Sequence, residues 1–159
     1  MSAAAPALAD GDLADLDAVM AVMNDSFDPR YGETWTFSQC AGLLPMPGVW
    51  LRLARAEGAV VGFALSRIVV DEAELLLLAV RRAAQRHGVG RRLLADFVAL
   101  ARARGAVRLH LEVRDGNRAI GLYRAAGFAL AGRRRNYYSG DDGRCHDALT
   151  LGRLAHDQD

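Results

Sequence analysis

The sequence contains no lysine; all 20 of its basic residues are arginine. A P-loop, which needs Gly-Lys-Ser/Thr, is therefore excluded. With the abundance of Ala, Gly and Leu, the arginine-only usage reads as the coding bias of a GC-rich genome. Cysteine is almost as scarce. Cys40 and Cys145 stand far apart, without the spacing of a zinc site, so neither a disulfide framework nor a structural metal is expected, and a reducing, cytoplasmic setting fits. Long apolar runs are missing as well. The richest, Leu75 to Val80, is too short to span a bilayer, and Met1 to Pro6 lack the basic start and long apolar stretch of an export signal. Nor does one sign of charge dominate: the formal net charge is +1 and the pI about 7.9, which gives no general attraction to nucleic acid or a membrane surface.

What is present fits one core. With 159 residues and 52% hydrophobic content, a single domain over 1–159 is expected, with 1–6 and 155–159 as flexible ends. After a short apolar start at Ala7-Leu8-Ala9, Asp12 is placed to cap a helix whose Leu13, Leu16, Val19, Met20, Met23 and Phe27 recur at helical spacing. Asp28-Pro29-Arg30-Tyr31-Gly32 breaks it. Thr36-Phe37-Ser38-Gln39 then has the form of a capping box and predicts a short second helix ended by Pro45 and Pro47; loop and helix together suggest a flap over 28–48. Three runs, Val49–Ala56, Ala59–Val70 and Glu74–Val80, are separated by Glu57-Gly58 and Asp71-Glu72 and predict an antiparallel meander.

From Gly88 the apolar period changes to that of a helix, with Val89, Leu93, Phe97 and Ala101 on one face and Gly105 placed at its end. Strand 107–113 alternates: Val107, Leu109, Leu111 and Val113 face one side, Arg108, His110 and Glu112 the other. A helix from Asn117 to Ala126 and strands near 128–138 and 147–154 complete the chain. The order β-α-α-β-β-β-α-β-α-β-β predicts an α+β fold, a mixed, twisted, mostly antiparallel sheet of about seven strands and four helices. Its β-α-β crossover requires a parallel pair, strands 74–80 and 107–113, inside the sheet.

The most informative stretch is Val80 to Arg92, a strand end, a loop and a helix start marked by Gly88 and Gly90, with five arginines. Such a turn exposes main-chain N–H groups at a helix N-terminus and suits an anion, since glycine lets a phosphate approach closely. A dinucleotide fingerprint needs a third glycine where this chain has Leu93. Gln85-x-x-Gly88-x-Gly90, after a strand and before an amphipathic helix, instead resembles the acetyl-CoA signature of the GNAT superfamily. Leu78-Ala79-Val80, Leu111-Glu112-Val113-Arg114, Leu122-Tyr123 with Gly127-Phe128, and Arg134-Arg135-Asn136-Tyr137-Tyr138 extend the resemblance, over about 74–151, to its bacterial ribosomal-protein alanine N-acetyltransferase branch.

That resemblance implies a splayed parallel pair and acetyl-CoA as donor, without a metal. Leu78, Ala79 and Val80 would offer main-chain groups to the pantetheine arm, and Arg86, His87, Gly88, Val89, Gly90 and Arg91 would wrap the pyrophosphate. Glu112 takes the place of the general base and Tyr123 that of the acid that protonates the departing thiolate; a main-chain N–H near Leu78 would hold the oxyanion. Asn117, a further coenzyme contact by resemblance, stands six residues before Tyr123 where the family usually has seven, a shortening the loop at Asp115-Gly116 can absorb.

Energetics favour an α-amine as acceptor. Deprotonating a lysine at neutral pH costs about 4.6 kcal/mol, against roughly 1–1.4 for an α-amine. A protein N-terminus, of the ribosomal-protein alanine type by resemblance, is therefore the expected partner, beneath a flap carrying Tyr31, Trp35 and Phe37. A GNAT acting on a small amine or a protein lysine, and a non-catalytic acyl-CoA-binding module, remain the alternatives. Oligomeric state is left open. His110, on the same strand face as Glu112, reads as a solvated or hydrogen-bonded strand histidine, Cys145-His146 as no metal or nucleophile pair, and Arg133-Arg134-Arg135 as a solvated strand edge or a docking aid, not an RNA site.

Overall fold

A computed structural model describes residues 5–156. The chain runs β1 (Ala7–Gly11), α1 (Leu16–Ser26), α2 (Phe37–Leu43), β2 (Val49–Ala56), β3 (Ala59–Val69), β4 (Glu72–Val80), α3 (Val89–Ala103), β5 (Arg108–Arg114), α4 (Ile120–Ala125), β6 (Ala129–Ser139) and β7 (Cys145–Leu154). One sheet holds all seven strands in the order β1-β2-β3-β4-β5-β7-β6, and only β4 and β5 are parallel. The expected fold class is thereby met.

Both faces of the sheet are packed. On one, Leu93, Phe97 and Val98 of α3 meet Leu75, Leu109, Leu111 and Leu151; on the other, Val19, Val22 and Met23 of α1 meet Leu53, Phe63, Leu65 and Leu77. Leu75 and Leu77 lie two apart yet serve opposite layers, and the strand register explains why. Leu65 faces Leu77 and Ser66 faces Leu75, so Leu76 is an extra residue, a β-bulge that turns the alternation over. The parallel pairing with β5 runs only from Glu72–Arg108 to Leu75–Leu111, so β4 leaves β5 at the bulge. This splay is the feature that makes the site.

Local chemistry sets several element ends. Asp12 and Thr36 each form the reciprocal capping box, the latter as expected. Asp12, however, caps a tight 3-10 turn, Leu13–Asp15, before α1 begins. Its three-residue period shifts the phase, which leaves Leu13 exposed and buries Val22 in its stead. Val107 is likewise exposed: it precedes β5, its N–H donating to the carbonyl of Asp71 and its own carbonyl accepting from the N–H of Ala155. Ala155 is fully buried, so the expectation of a flexible end from residue 155 does not hold for that residue. Residues 1–4 and 157–159, the rest of the expected flexible ends apart from Ala5, Pro6 and His156, lie outside the described residues.

The helix expected from Asn117 begins only at Ile120, because Asn117 Oδ1 accepts the N–H of Ala119 at 2.8 Å and holds a turn there. Of the four described non-glycine residues with positive φ, Glu57, Val70, Arg86 and Asn136, one is β-branched. Val70, in the β3–β4 connection, has φ +58° and is almost fully exposed, although a β-branched residue disfavours that region. Val70→Gly is expected to stabilise the fold by about 1 kcal/mol, raising Tm by roughly 2–4 °C in a thermal melt.

Candidate active site

Where β4 and β5 part, a cleft of about 1420 Å³ opens. One half is bounded by the freed edge of β4 from Leu76 to Val80, by the β4–α3 loop and by α4. The N–H and C=O groups on that edge have lost their β5 partners, since the ladder stops at Leu75–Leu111. At the loop's end Gly88, φ +81°, caps α3 with no side-chain hydrogen bond, and the first-turn N–H groups of a helix have no intrahelical acceptor. The loop is braced from within: Gln85 Nε2 donates to the carbonyl of Val80 (2.9 Å), Arg81 Nε to that of Val60 (3.0 Å), and the N–H of Arg82 to Asp25 (2.8 Å).

Leu78, Ala79, Val80, Arg86, Gly88, Gly90, Arg91 and Asn117 all line the cleft. His87 and Val89 do not. The side chain of Val89 is buried against the sheet, which leaves that residue only its main chain to offer, and His87 is exposed outside the lining. Asn117 is already committed: Nδ2 donates to Glu33 at 3.0 Å while Oδ1 holds the turn before α4.

The second half of the cleft is lined by Tyr31, Glu33, Trp35, Met46, Arg67, Glu74, Glu112, Tyr137 and Tyr138, among others. Tyr31 and Trp35 take part as expected; Phe37 is exposed on α2 and does not line it. Glu112 and Tyr123 both reach the cavity, from β5 and α4 respectively. Tyr123 is buried, and burial, reinforced by the charge of Glu33, pushes its phenol well above the usual tyrosine range. Its proton stays in place at neutral pH. Glu112 is half-buried and pairs through Oε1 with Nε of Arg134 at 3.0 Å.

Further contributors to the site carry no role assigned from the sequence. Glu33 joins Arg114 (3.2 Å) and Asn117, and the Arg114 guanidinium lies 3.6 Å from the centre of the Tyr31 ring, so the loop after α1 is pinned to β5. Gly32 allows the close approach: a Cβ there would lie 2.0 Å from the carbonyl oxygen of Ser139. Tyr138, the last residue of the Arg-Asn-Tyr-Tyr run, has its phenol pushed up by burial and then by Glu33 and Glu112. Glu33 and Arg114 carry no short-range pattern, because 81 residues separate them. Arg114 and Tyr138 each fall inside a run that carries the family resemblance.

His110 faces Glu74 across the parallel pair, with Nε2 3.7 Å from Oε1, and Arg67 donates to the same carboxylate at 3.0 Å. The solvated or hydrogen-bonded strand histidine expected there has a carboxylate partner, with which it forms an ion pair when the ring is protonated. Glu74, followed by burial against it and the charges of Glu72 and Glu112 for it, raises the His110 pKa, whereas His110 and then Arg67 lower that of Glu74. A raised histidine pKa stabilises the fold below the unfolded value and loses that contribution as pH rises through the folded one. His110→Gln should therefore cost more stability at about pH 5.5 than at about pH 8.5, as denaturant melts at the two values would read.

Residues 16–128 match the family model for the Acetyltransferase (GNAT) family. The chain belongs to that family. The [ribosomal protein bS18]-alanine N-acetyltransferase of Escherichia coli strain K12 is 44% identical over 96 residues, 60% of this chain and 64% of that protein. The N-alpha-acetyltransferase RimI of Mycobacterium tuberculosis is 44% identical over 90 residues, 54% of this chain and 55% of its own length. In both, the matched stretch spans less than two thirds of the relative. The crystal structure of the E. coli ribosomal-protein-S18-alanine N-acetyltransferase superposes with a TM-score of 0.84 at 30% identity, covering 97% of this chain and 96% of that one. No helix among the described residues is long and apolar enough to cross a membrane, and no described cluster of His, Cys, Asp and Glu is suited to a metal ion.

Proposed function

We propose that this protein, acting in the cytoplasm, transfers the acetyl group of acetyl-CoA to the α-amine of a protein N-terminus, an alanine of a ribosomal protein being the preferred acceptor. The observation that carries this reading is the splay at Leu76, which leaves a free strand edge leading to an uncapped α3 N-terminus on one side and to Glu112 and Tyr123 on the other. A pantetheine arm, with two amides of its own, fits an edge that has lost its ladder partners, and a pyrophosphate fits the N–H groups and arginines of the Gly88 turn. The lining residues thus suit acetyl-CoA, whose thioester supplies the activated carbonyl.

Glu112 accepts a proton from the acceptor's ammonium, directly or through a water, and the neutral nitrogen attacks the carbonyl carbon. Main-chain N–H groups around Leu78 hold the oxyanion while the C–N bond forms. The C–S bond then breaks, Tyr123, still protonated at neutral pH, gives its proton to the thiolate, and the resulting phenolate recovers a proton from the nitrogen, which sheds its second one as the amide forms. The α-amine preference follows from the smaller deprotonation cost, and the alanine preference from what the E. coli relative is named for. Supplying acetyl-CoA with an alanine N-terminal peptide, an N-blocked lysine peptide and a polyamine, then weighing the products, tests the acceptor. The first is expected to gain acetyl fastest; acetylation of only the other two would overturn the α-amine reading. Binding without any turnover would favour a non-catalytic module.

A further inference from the structure

Glu112 lines the cleft with its carboxylate already paired. Among the described residues its ion-pair partner is Arg134, whose Nε lies 3.0 Å from Oε1. Arg134 comes from β6, two strands away, and is positioned opposite Ala148 of β7, which in turn faces Arg114 of β5; Glu112 is the next residue on that strand face. Ala148 is fully buried and contributes only a methyl, so the arginine crosses β7, about 10 Å at two strand spacings, without obstruction. The partners differ in setting: the side chain of Arg134 is 61% exposed and that of Glu112 18%.

An acceptor amine arrives as an ammonium and must approach this same carboxylate. Two cations in contact with one half-buried carboxylate repel each other, and Arg134, the more exposed, loses less by leaving. It has a place to go. Its guanidinium already lies 5.4 Å from the centre of the Tyr137 ring, which is exposed on the rim of the cleft. The other guanidiniums nearby are held elsewhere: Arg114 by Glu33, Arg67 by Glu74 and Arg133 by Asp115 and Asp147.

We propose that Arg134 is a positioning residue that holds Glu112 until the acceptor's ammonium takes its place, so that a cation is exchanged at the carboxylate when the acceptor binds. This inference rests on the reading of Glu112 as the group that receives the acceptor amine. The exchange keeps Glu112 paired and oriented between turnovers, at the expense of competing with the substrate. It also favours acceptors that carry their own positive charge to the carboxylate.

The test is steady-state kinetics with an alanine N-terminal peptide at saturating acetyl-CoA, on Arg134→Met, Arg134→Lys and each combined with Glu112→Gln. Arg134→Met removes the competing cation while keeping the apolar stem, so the peptide's KM is expected to fall by about two- to five-fold, with kcat/KM rising to match. Arg134→Lys restores a cation and is expected to return KM towards the wild-type value. In the Glu112→Gln background the Arg134 substitution should no longer move KM, because the two act as one pair. A higher KM in Arg134→Met, which would make the arginine an acceptor contact, or an unchanged KM overturns the proposal. Its failure is distinct from that of the base assignment, which is read from kcat of the single Glu112→Gln variant.

Discussion

Glu112→Gln is expected to lower acetyl transfer to an alanine N-terminal peptide by about 10²- to 10⁴-fold at neutral pH, the usual worth of a positioned general base. The substitution keeps the side chain's size and its place on β5, between Leu111 and Val113, which are both buried. What it removes is the charge and the capacity to take a proton. Arg134 loses its partner, but an arginine that is 61% exposed returns to water at little cost, so the fold should be unaffected. Acetyl-CoA should bind as before, because the donor half of the cleft is built from β4, the Gly88 turn and α4. Tyr123→Phe is expected to follow the same pattern, with turnover lost and donor affinity kept. Product mass and calorimetric donor affinity, measured on the same preparations, separate the two quantities, and an undiminished rate in both variants would remove Glu112 and Tyr123 from the mechanism.

Glu33→Ala is expected to destabilise the protein by about 3 kcal/mol, the lower end for breaking a largely buried ion pair by removing one partner. Glu33 and Arg114 are 10% and 12% exposed at the side chain. Without the carboxylate, the Arg114 guanidinium stays against the Tyr31 ring and the carbonyl of Asp115, and the amide of Asn117 loses its acceptor. A fall in Tm of roughly 6–12 °C follows for a chain of this length. Replacing both charges, as Glu33→Ala with Arg114→Met, should recover a good part of the loss, since no uncompensated charge remains. The loop carrying Tyr31 and Trp35 also lines the second half of the cleft, where the acceptor is proposed to bind, so the peptide's KM should rise in Glu33→Ala while acetyl-CoA affinity holds. A change in Tm of less than about 1 °C would show the pair to be solvent-screened and of little structural weight.

The elements were legible in the sequence because their signals are local. The Thr36 capping box, the helical spacing from Val89 to Ala101 and the alternation from Leu109 to Val113 each occupy a single window and reappear as α2, α3 and β5. The Gly88 turn was legible for the same reason, with its glycine in the left-handed region at the helix entry. What escaped depends on partners distant in sequence. The bulge at Leu76 is defined only against Leu65 and Ser66 of β3, and within the run Leu75-Leu76-Leu77-Leu78 no residue is marked as the extra one. The exchange of β6 and β7, which brings β7 against β5 and lets Arg134 reach Glu112 over Ala148, follows from packing of the second half of the sheet. The resemblance makes Asn117 a coenzyme contact; it lines the cleft, and its two polar atoms hold Glu33 and the turn before α4. The three arginines at 133–135 read from sequence as a solvated strand edge or a docking aid; all three are exposed on the edge strand β6, and Arg133 and Arg134 also have specific carboxylates.

Titrating acetyl-CoA into the protein and into Gly88→Val by isothermal calorimetry tests the central claim most directly, since the α3 entry depends on a left-handed residue that valine adopts only under strain. A saturating heat at one ligand per chain in the unaltered protein, weakened in the variant, is the predicted outcome. Absence of heat with the unaltered protein, or equal binding by both, would contradict a donor site built on that turn and on the strand edge freed at Leu76.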